Sequence, residues 1–359
     1  MSHKEKRFKA RLLKLLTKKN NKPLDLSKVK KVLILKYDRI GDMLVTTPIF
    51  RELKLAYPNI DISVIASNAN QGVIRYNPYI KDIFINNKDN LINDLKTLFF
   101  LRRKKFDVCI ELEHSVVYHS ILRLRIINPK VVLSIHKDGR YGTRGSELEL
   151  YKFHTLKNKK DNFGKIWLQT LTFFGINPVS EKYDLFLSKY EREKAQEFLS
   201  HFDKELKIGV NLEGSFQEKQ IQLKELRQIC KGIHKGYQNI KIIILASPNQ
   251  KQKIDHLLVE LGLDFVIPSY FSILDVSALI QQLDLIITPD TSIVHIASAF
   301  NKPIVTIHEN NLDSYRLWGP TSTMNKTIFA KSEHGLFDYS VDDIVSSSLE
   351  MISKINDNL

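Results

Sequence analysis

The longest apolar runs in this chain of 359 residues fall well short of the roughly 18–20 residues that span a bilayer. The N-terminus also lacks the apolar run, flanked by small residues, of a secretory signal. There are only two cysteines, Cys109 and Cys230, far apart and near apolar segments. They read as buried thiols in a reducing compartment, not as a disulfide or a metal pair. A cytoplasmic location is therefore expected. No G-x-x-x-x-G-K-[ST] and no G-x-G-x-x-G occurs, which argues against a P-loop NTPase and against an ordinary dinucleotide dehydrogenase.

Acids are scarce at the N-terminus. Residues 1–31 hold twelve Lys or Arg against Glu5 and Asp25, a surplus of ten out of a net charge of +14. The remaining 328 residues are nearly balanced, so no basic patch for nucleic acid is implied. Within "KEKRFKARLLKLLTKK", Phe8, Leu12, Leu15 and Leu16 recur at helical spacing among Lys and Arg. Such a helix suits an anionic membrane surface, which residues 1–20 are expected to contact. Packing of the same stripe on the protein body is the competing reading.

At 43% hydrophobic and 26% charged, the chain is long enough for two globular domains. Short runs rich in Val, Ile and Leu mark strands at 31–37, 60–67, 80–86, 106–112 and 130–135, with helical spacing at 43–57, 68–76, 90–104 and 115–126. A polar stretch, 137–161, interrupts the pattern, and a helix follows at 162–174. Strands then return at 206–212, 240–246, 264–269, 283–288 and 303–308, with helices at 189–201, 223–236, 249–261, 273–282, 291–300 and 340–355. Alternation of this kind predicts α/β architecture with parallel sheets covered on both faces. The expected division is a basic segment (1–26), an N-terminal Rossmann-like domain (27–188), a C-terminal one (189–338) and a last helix (339–359). Two such domains would create a cleft at the carboxyl ends of their strands.

Three loops carry candidate chemistry. In "LIITPDTSIVHIASAF" a strand ends at Thr288, and Asp290, Thr291 and Ser292 open a helix. Its first turn offers unpaired N–H groups, a partial positive charge and two hydroxyls, where a diphosphate would fit. His295 lies one turn on and would reach the same ligand, unless it is simply packed. Capping explains the same Asp, Thr and Ser equally well. In "NLEGSFQEKQ", Gly214 and Ser215 permit close approach of backbone to an anion and Lys219 would neutralise one, or is a surface residue. In "LKYDRIGDMLVTTPIF", Asp42 follows Gly41 directly at a strand's carboxyl end. Asp42 would be a general base or a plain cap. Asp38, beside Arg39, reads as an ion pair or a solvated surface group. Thr46 and Thr47 on the following turn would line a cleft or be buried.

Taken together and in order, these segments resemble the bacterial lipopolysaccharide core heptosyltransferases, glycosyltransferase family 9. The likeness rests on "ILKYDRIGDMLVTTPIFRELKLAYPNIDISVIAS", "GVNLEGSFQEKQ" and "TPDTSIVHIASAFNKPIVTIHENNLDSYRLWGP", over roughly residues 30–325. It implies a GT-B glycosyltransferase that inverts the anomeric carbon, with acceptor bound by the first domain and nucleotide sugar by the second. It implies a catalytic base at Asp42, with Gly41, Thr46 and Thr47 on the acceptor side. Lys219 would contact the donor diphosphate, with Gly214 and Ser215 beside it. Asp290, Thr291, Ser292 and His295 would surround the diphosphate and sugar. The implied partners are a nucleotide sugar, foremost ADP-heptose, and a lipid-linked oligosaccharide at the inner face of the cytoplasmic membrane.

No Asp-x-Asp occurs in the chain, so neither metal nor cofactor is expected. The leaving diphosphate would then be stabilised by a helix N-terminus, hydroxyls and a cation. Leu212, Glu213, Ser292 and His308-Glu309-Asn310 depart from the family pattern. They leave open a hexose donor for a surface glycan, a nucleotide-sugar-binding protein without transfer, or an epimerase using Glu111 and Glu113.

Overall fold

In the computed structural model of the chain, residues 3–18, 25, 28–86, 90–214 and 217–357 are described. The chain divides into two compact units, residues 1–181 and 182–359. The first contains α1 (His3–Leu16), β1 (Lys31–Leu35), α2 (Ile40–Ala56), β2 (Asp61–Ala66), β3 (Asp82–Ile85) and α3 (Leu91–Lys104). It continues with β4 (Val108–Glu111), α4 (Tyr118–Ile127), β5 (Val131–Ser134), β6 (Phe153–His154) and α5 (Phe163–Leu168). The second contains α6 (Lys189–Leu199), β7 (Leu206–Asn211), α7 (Leu223–Gly236), β8 (Ile240–Ala246), α8 (Lys251–Leu261) and β9 (Val266–Tyr270). It ends with α9 (Ile273–Gln282), β10 (Leu285–Pro289), α10 (Ser292–Ala299), β11 (Ile304–His308), α11 (Leu312–Trp318), β12 (Asn325–Phe329) and α12 (Val341–Asn356).

Each unit is built on a six-stranded sheet, ordered β3-β2-β1-β4-β5-β6 in the first and β12-β11-β10-β7-β8-β9 in the second. Every pairing is parallel. Read from the other edge, the second sheet has the same winding as the first: its opening strand is central and the chain turns back at its fourth. Strands covered on both faces must be apolar throughout. Accordingly β4, β5 and β10 are buried at every position, and β1 at all but Lys31. Helix starts follow local capping. Ser188 and Glu191 form a capping box before α6, Ser272 accepts from Asp275 N before α9, and Ser340 accepts from Asp343 N before α12.

The expected α/β architecture is present, with local differences. Residues 68–76 form no α-helix but a short 3-10 turn, Gln71–Ile74. Asn70, fully buried, draws the backbone away: its Oδ1 accepts from Ser67 N at 2.8 Å and its Nδ2 donates to Lys36 O at 3.2 Å. The polar stretch 137–161 contains β6 and two 3-10 turns, Gly145–Glu147 and Glu149–Tyr151. Past Leu168, the helix of 162–174 tightens to 3-10 geometry over Gln169–Phe174. α11 and β12 were not expected.

Candidate active site

Ligands of open α/β sheets bind at the carboxyl ends of strands where the winding reverses. In the first sheet that place lies between β1 and β4. Lys36, one residue past β1, is only 4% exposed, yet it carries a charge. Its Nζ lies 2.9 Å from Asp38 Oδ2 and 3.0 Å from Asp42 Oδ1, and 4.3 Å from the centroid of the Trp167 ring. Burial alone would lower the lysine pKa; the charges of Asp42, Asp38 and Glu113 outweigh it and raise it. Asn70 anchors this loop from beneath through Lys36 O and Asp38 O.

Asp42 stands in the first turn of α2. It is not the cap: Arg39 occupies the N-cap position and makes no side-chain capping bond. Asp38 is in an ion pair, as one of its two readings had it, with Lys36 as partner. Gly41 is buried. Thr46 and Thr47 are fully buried, and their hydroxyls donate to Asp42 O at 2.8 Å and Leu44 O at 2.7 Å. The second bond has a local cause. Pro48 has no N–H to give the carbonyl four residues back, and that carbonyl belongs to Leu44. The Thr47 hydroxyl takes the missing donor's place.

Around this pair lies a second layer of charge. Glu111, at the end of β4, is buried against Lys137, with which it forms an ion pair. Burial pushes the Glu111 carboxyl up, and Lys137 opposes it. Lys137 Nζ also donates to Glu113 O at 2.5 Å. Glu113 is pushed up to about 7 by burial and by the neighbouring charges of Asp38 and Glu111. His114 is pushed down to about 3 by burial and by Lys36 and Lys137. A neutral ring agrees with its Nε2 accepting from Trp167 Nε1 at 3.1 Å.

In the second sheet the reversal lies between β7 and β10. Asn211, the last residue of β7, is buried, and its Nδ2 donates to Thr288 Oγ1 at 2.9 Å, Thr291 Oγ1 at 3.2 Å and Glu213 O at 3.0 Å. One amide thus ties the ends of two strands to the loop after the first. Thr291 is the N-cap of α10, its Oγ1 accepting from Ile293 N at 3.2 Å. Asp290 N continues the ladder to Ile307 O at 3.1 Å. Ser292 begins the helix at a partly exposed position. His295 is buried with its ring edge-on to Tyr183 and Trp318. Of the second loop, Gly214 and Lys219 are described, and Ser215 lies outside the described residues. A Cβ on Gly214 would come within 2.0 Å of Lys219 O, so the loop closes on itself there.

Lys219 Nζ pairs with Glu309 Oε2 at 2.7 Å, and Glu309 Oε1 accepts from Gly335 N at 2.5 Å. Burial works against the Glu309 carboxylate, but these two donors prevail and its pKa is lowered. His308, at the end of β11, is buried with its ring edge-on to Tyr315, and its Nε2 has no hydrogen-bond partner among the described residues. Burial lowers its pKa, with the charge of Asp290 opposing.

Each half therefore gathers its own candidates at one strand edge. Sequence reasoning passed over Lys36, Asn70, His114, Lys137, Trp167 and Asn211. Lys36 and Asn211 had a usable signal, since each directly ends an apolar run that must be covered on both faces. Among the described residues, no group of three or more His, Cys, Asp or Glu is arranged to hold a metal. No helix among them is long and apolar enough to cross a membrane.

Residues 99–335 match the family described as glycosyltransferase family 9 (heptosyltransferase). The putative lipopolysaccharide heptosyltransferase 4 of Escherichia coli (strain K12) is 23% identical over 364 residues, covering 97% of this chain and 95% of its own. Among solved structures, the glycosyl transferase family 9 protein of Veillonella parvula DSM 2008 superposes with a TM-score of 0.76 at 19% identity, over 93% of this chain and 100% of that one. The E. coli ADP-heptose lps heptosyltransferase II superposes with a TM-score of 0.71 at 18% identity, over 90% and 98%. At these identities the structural likeness speaks for the fold.

Proposed function

Because the chain belongs to glycosyltransferase family 9, and so is a glycosyltransferase, we propose that it moves a heptose from ADP-heptose onto a lipopolysaccharide core at the inner face of the cytoplasmic membrane. The names of the E. coli relatives suggest the sugar and the nucleotide. In this reading Asp42 takes the proton of an acceptor hydroxyl as that oxygen attacks the anomeric carbon. The bond from that carbon to the diphosphate breaks on the opposite side, the nucleoside diphosphate leaves with the electron pair, and the configuration inverts. Neither metal nor cofactor takes part. Lys219, the Thr291 and Ser292 hydroxyls, the backbone at Gly214 and Ser215, and the N-terminus of α10 carry the leaving charge instead. Asp290 and His295 hold the sugar. Gly41 leaves room for the acceptor, while Thr46 and Thr47 act through the shape of α2.

The observation that carries the reading is the state of Asp42. It stands at the winding reversal of the first sheet, oriented by a buried lysine rather than consumed in capping. The test is a panel of ADP-, UDP- and GDP-sugars scored first by thermal stabilisation and then by transfer to a core acceptor. The expected result is preference for ADP-heptose and a product that requires acceptor. Preference for a UDP-hexose would replace the donor. Donor turnover without acceptor would make the protein an epimerase, and binding without any product a nucleotide-sugar-binding protein.

A further inference from the structure

A helix lying on a sheet ordinarily turns its apolar stripe inward and its polar residues outward. α3 is apolar on both sides. Inward it buries Leu98 and Leu101, and its one acid, Asp94, pairs with Arg123 at 2.8 Å. Outward it exposes Leu91 at 73%, Ile92 at 68%, Leu95 at 44% and Phe99 at 53%. At 3.6 residues per turn, Leu91, Leu95 and Phe99 form one row with Ile92 beside it. Phe100 is exposed as well, so five of the sixteen large exposed hydrophobics among the described residues lie on this helix. The others are spread over the rest of both units.

The row is bordered by positive charge. Residues 91–105 contain Lys96, Arg102, Arg103, Lys104 and Lys105 against the buried Asp94 alone. Lys104 is held by Asp82, while Lys96 and Arg103 are exposed beside the row. α1 extends the same side. Its Leu13 shares a core cluster with Leu98 and Leu101 of α3 and with Leu124 and Ile127 of α4, so the three helices cover one face of the first sheet. Phe8 and Leu15 of α1 remain exposed among Lys9, Arg11 and Lys14.

We propose that the outer face of α3, together with the exposed side of α1, docks on an anionic phospholipid bilayer. The apolar row would enter the boundary of headgroups and acyl chains, and the bordering Lys and Arg would meet lipid phosphates. Charge argues against a second copy as occupant, since a two-fold contact would press two basic rims together. The inference widens the membrane contact expected for residues 1–20 and does not depend on which sugar is transferred.

The test is co-sedimentation of the full chain with vesicles of phosphatidylcholine alone or mixed with phosphatidylglycerol. Binding should be at least about tenfold stronger to the mixed vesicles. Leu95→Asp with Phe99→Asp should lower it at least about tenfold, with the melting temperature and the turnover of a water-soluble, de-acylated acceptor unchanged. Lys96→Glu with Arg103→Glu should remove only the preference for phosphatidylglycerol. Phe99→Trp should shift its emission to the blue on mixed vesicles. A chain inactive on every acceptor, but bound to mixed vesicles through Leu95 and Phe99, would support the docking face while sinking the transferase reading. The proposal is overturned if the chain ignores mixed vesicles or if the Leu95/Phe99 double variant binds like the parent. It is equally overturned if light scattering finds a dimer that this variant dissolves.

Discussion

The two sheets follow one winding and end in opposite chemistry. The reversal point of the first is crowded with buried charge: Lys36 among Asp38, Asp42 and Glu113, and Lys137 against Glu111. The corresponding point of the second is neutral at its centre, an amide shared among hydroxyls at Asn211, Thr288 and Thr291. An ion pair there, Lys219 with Glu309, is set out in the loops. On the proposed function the difference is one of task. A carboxylate that must be aimed at a hydroxyl needs fixed counter-charges, and these can be installed permanently. A site for a polyanion is better left with donors whose partners can be exchanged. Topology gives both halves the same kind of edge, and the loops decide what stands on it.

The contrast can be broken most directly at Asp42. Asp42→Ala should lower kcat by about 10²- to 10⁴-fold while the donor Kd moves less than about twofold. Wild-type turnover in this variant would take the base away from the first edge. Next in size is Lys36→Met, which strands three carboxylates in a buried site. Urea denaturation should show a loss of about 3–5 kcal/mol, and a loss below about 1 kcal/mol would mean that the charge is solvated after all.

Glu113→Gln probes the same edge with the opposite sign. An acid whose pKa rises on folding, here from 4.5 to about 7, favours the folded state while protonated. That stability is full below about 4.5 and is lost as pH rises through about 7. The variant should therefore gain about 3 kcal/mol at pH 8 and almost nothing at pH 4, read from paired melting curves; an equal change at both would point to packing instead. On the second edge, Lys219→Ala should weaken the donor about tenfold by calorimetry, the loss of one charge-assisted contact. The smallest effect belongs to Glu309→Gln. Removing the anion that occupies Lys219 should tighten the donor about threefold; weaker binding would show that Glu309 presents the lysine rather than competing for it.

Much of the fold was legible because a strand covered on both faces must read as Val, Ile and Leu, as "IKIIILA" does over β8. The strands that escaped notice lack that property. β6 is two residues long, and β12 reads Asn-Lys-Thr-Ile-Phe at the sheet's edge, where one side need not be apolar. For the site, Gly41-Asp42 and the turn at Asp290–Ser292 were visible as polar turns at the carboxyl ends of apolar runs. Lys36 was not. A lysine reads as exposed unless its counter-ions are known to converge, and Glu113 lies far away in sequence until β1 and β4 pair side by side. His114 and Trp167 are joined for the same reason, across chain distances that no local pattern spans.

Pro48 breaks the hydrogen-bond ladder of α2 two turns from its start. Only the rung at Leu44 O is lost, and the hydroxyl of Thr47 fills it. One threonine thus lets the helix that carries Asp42 run unbroken through a proline.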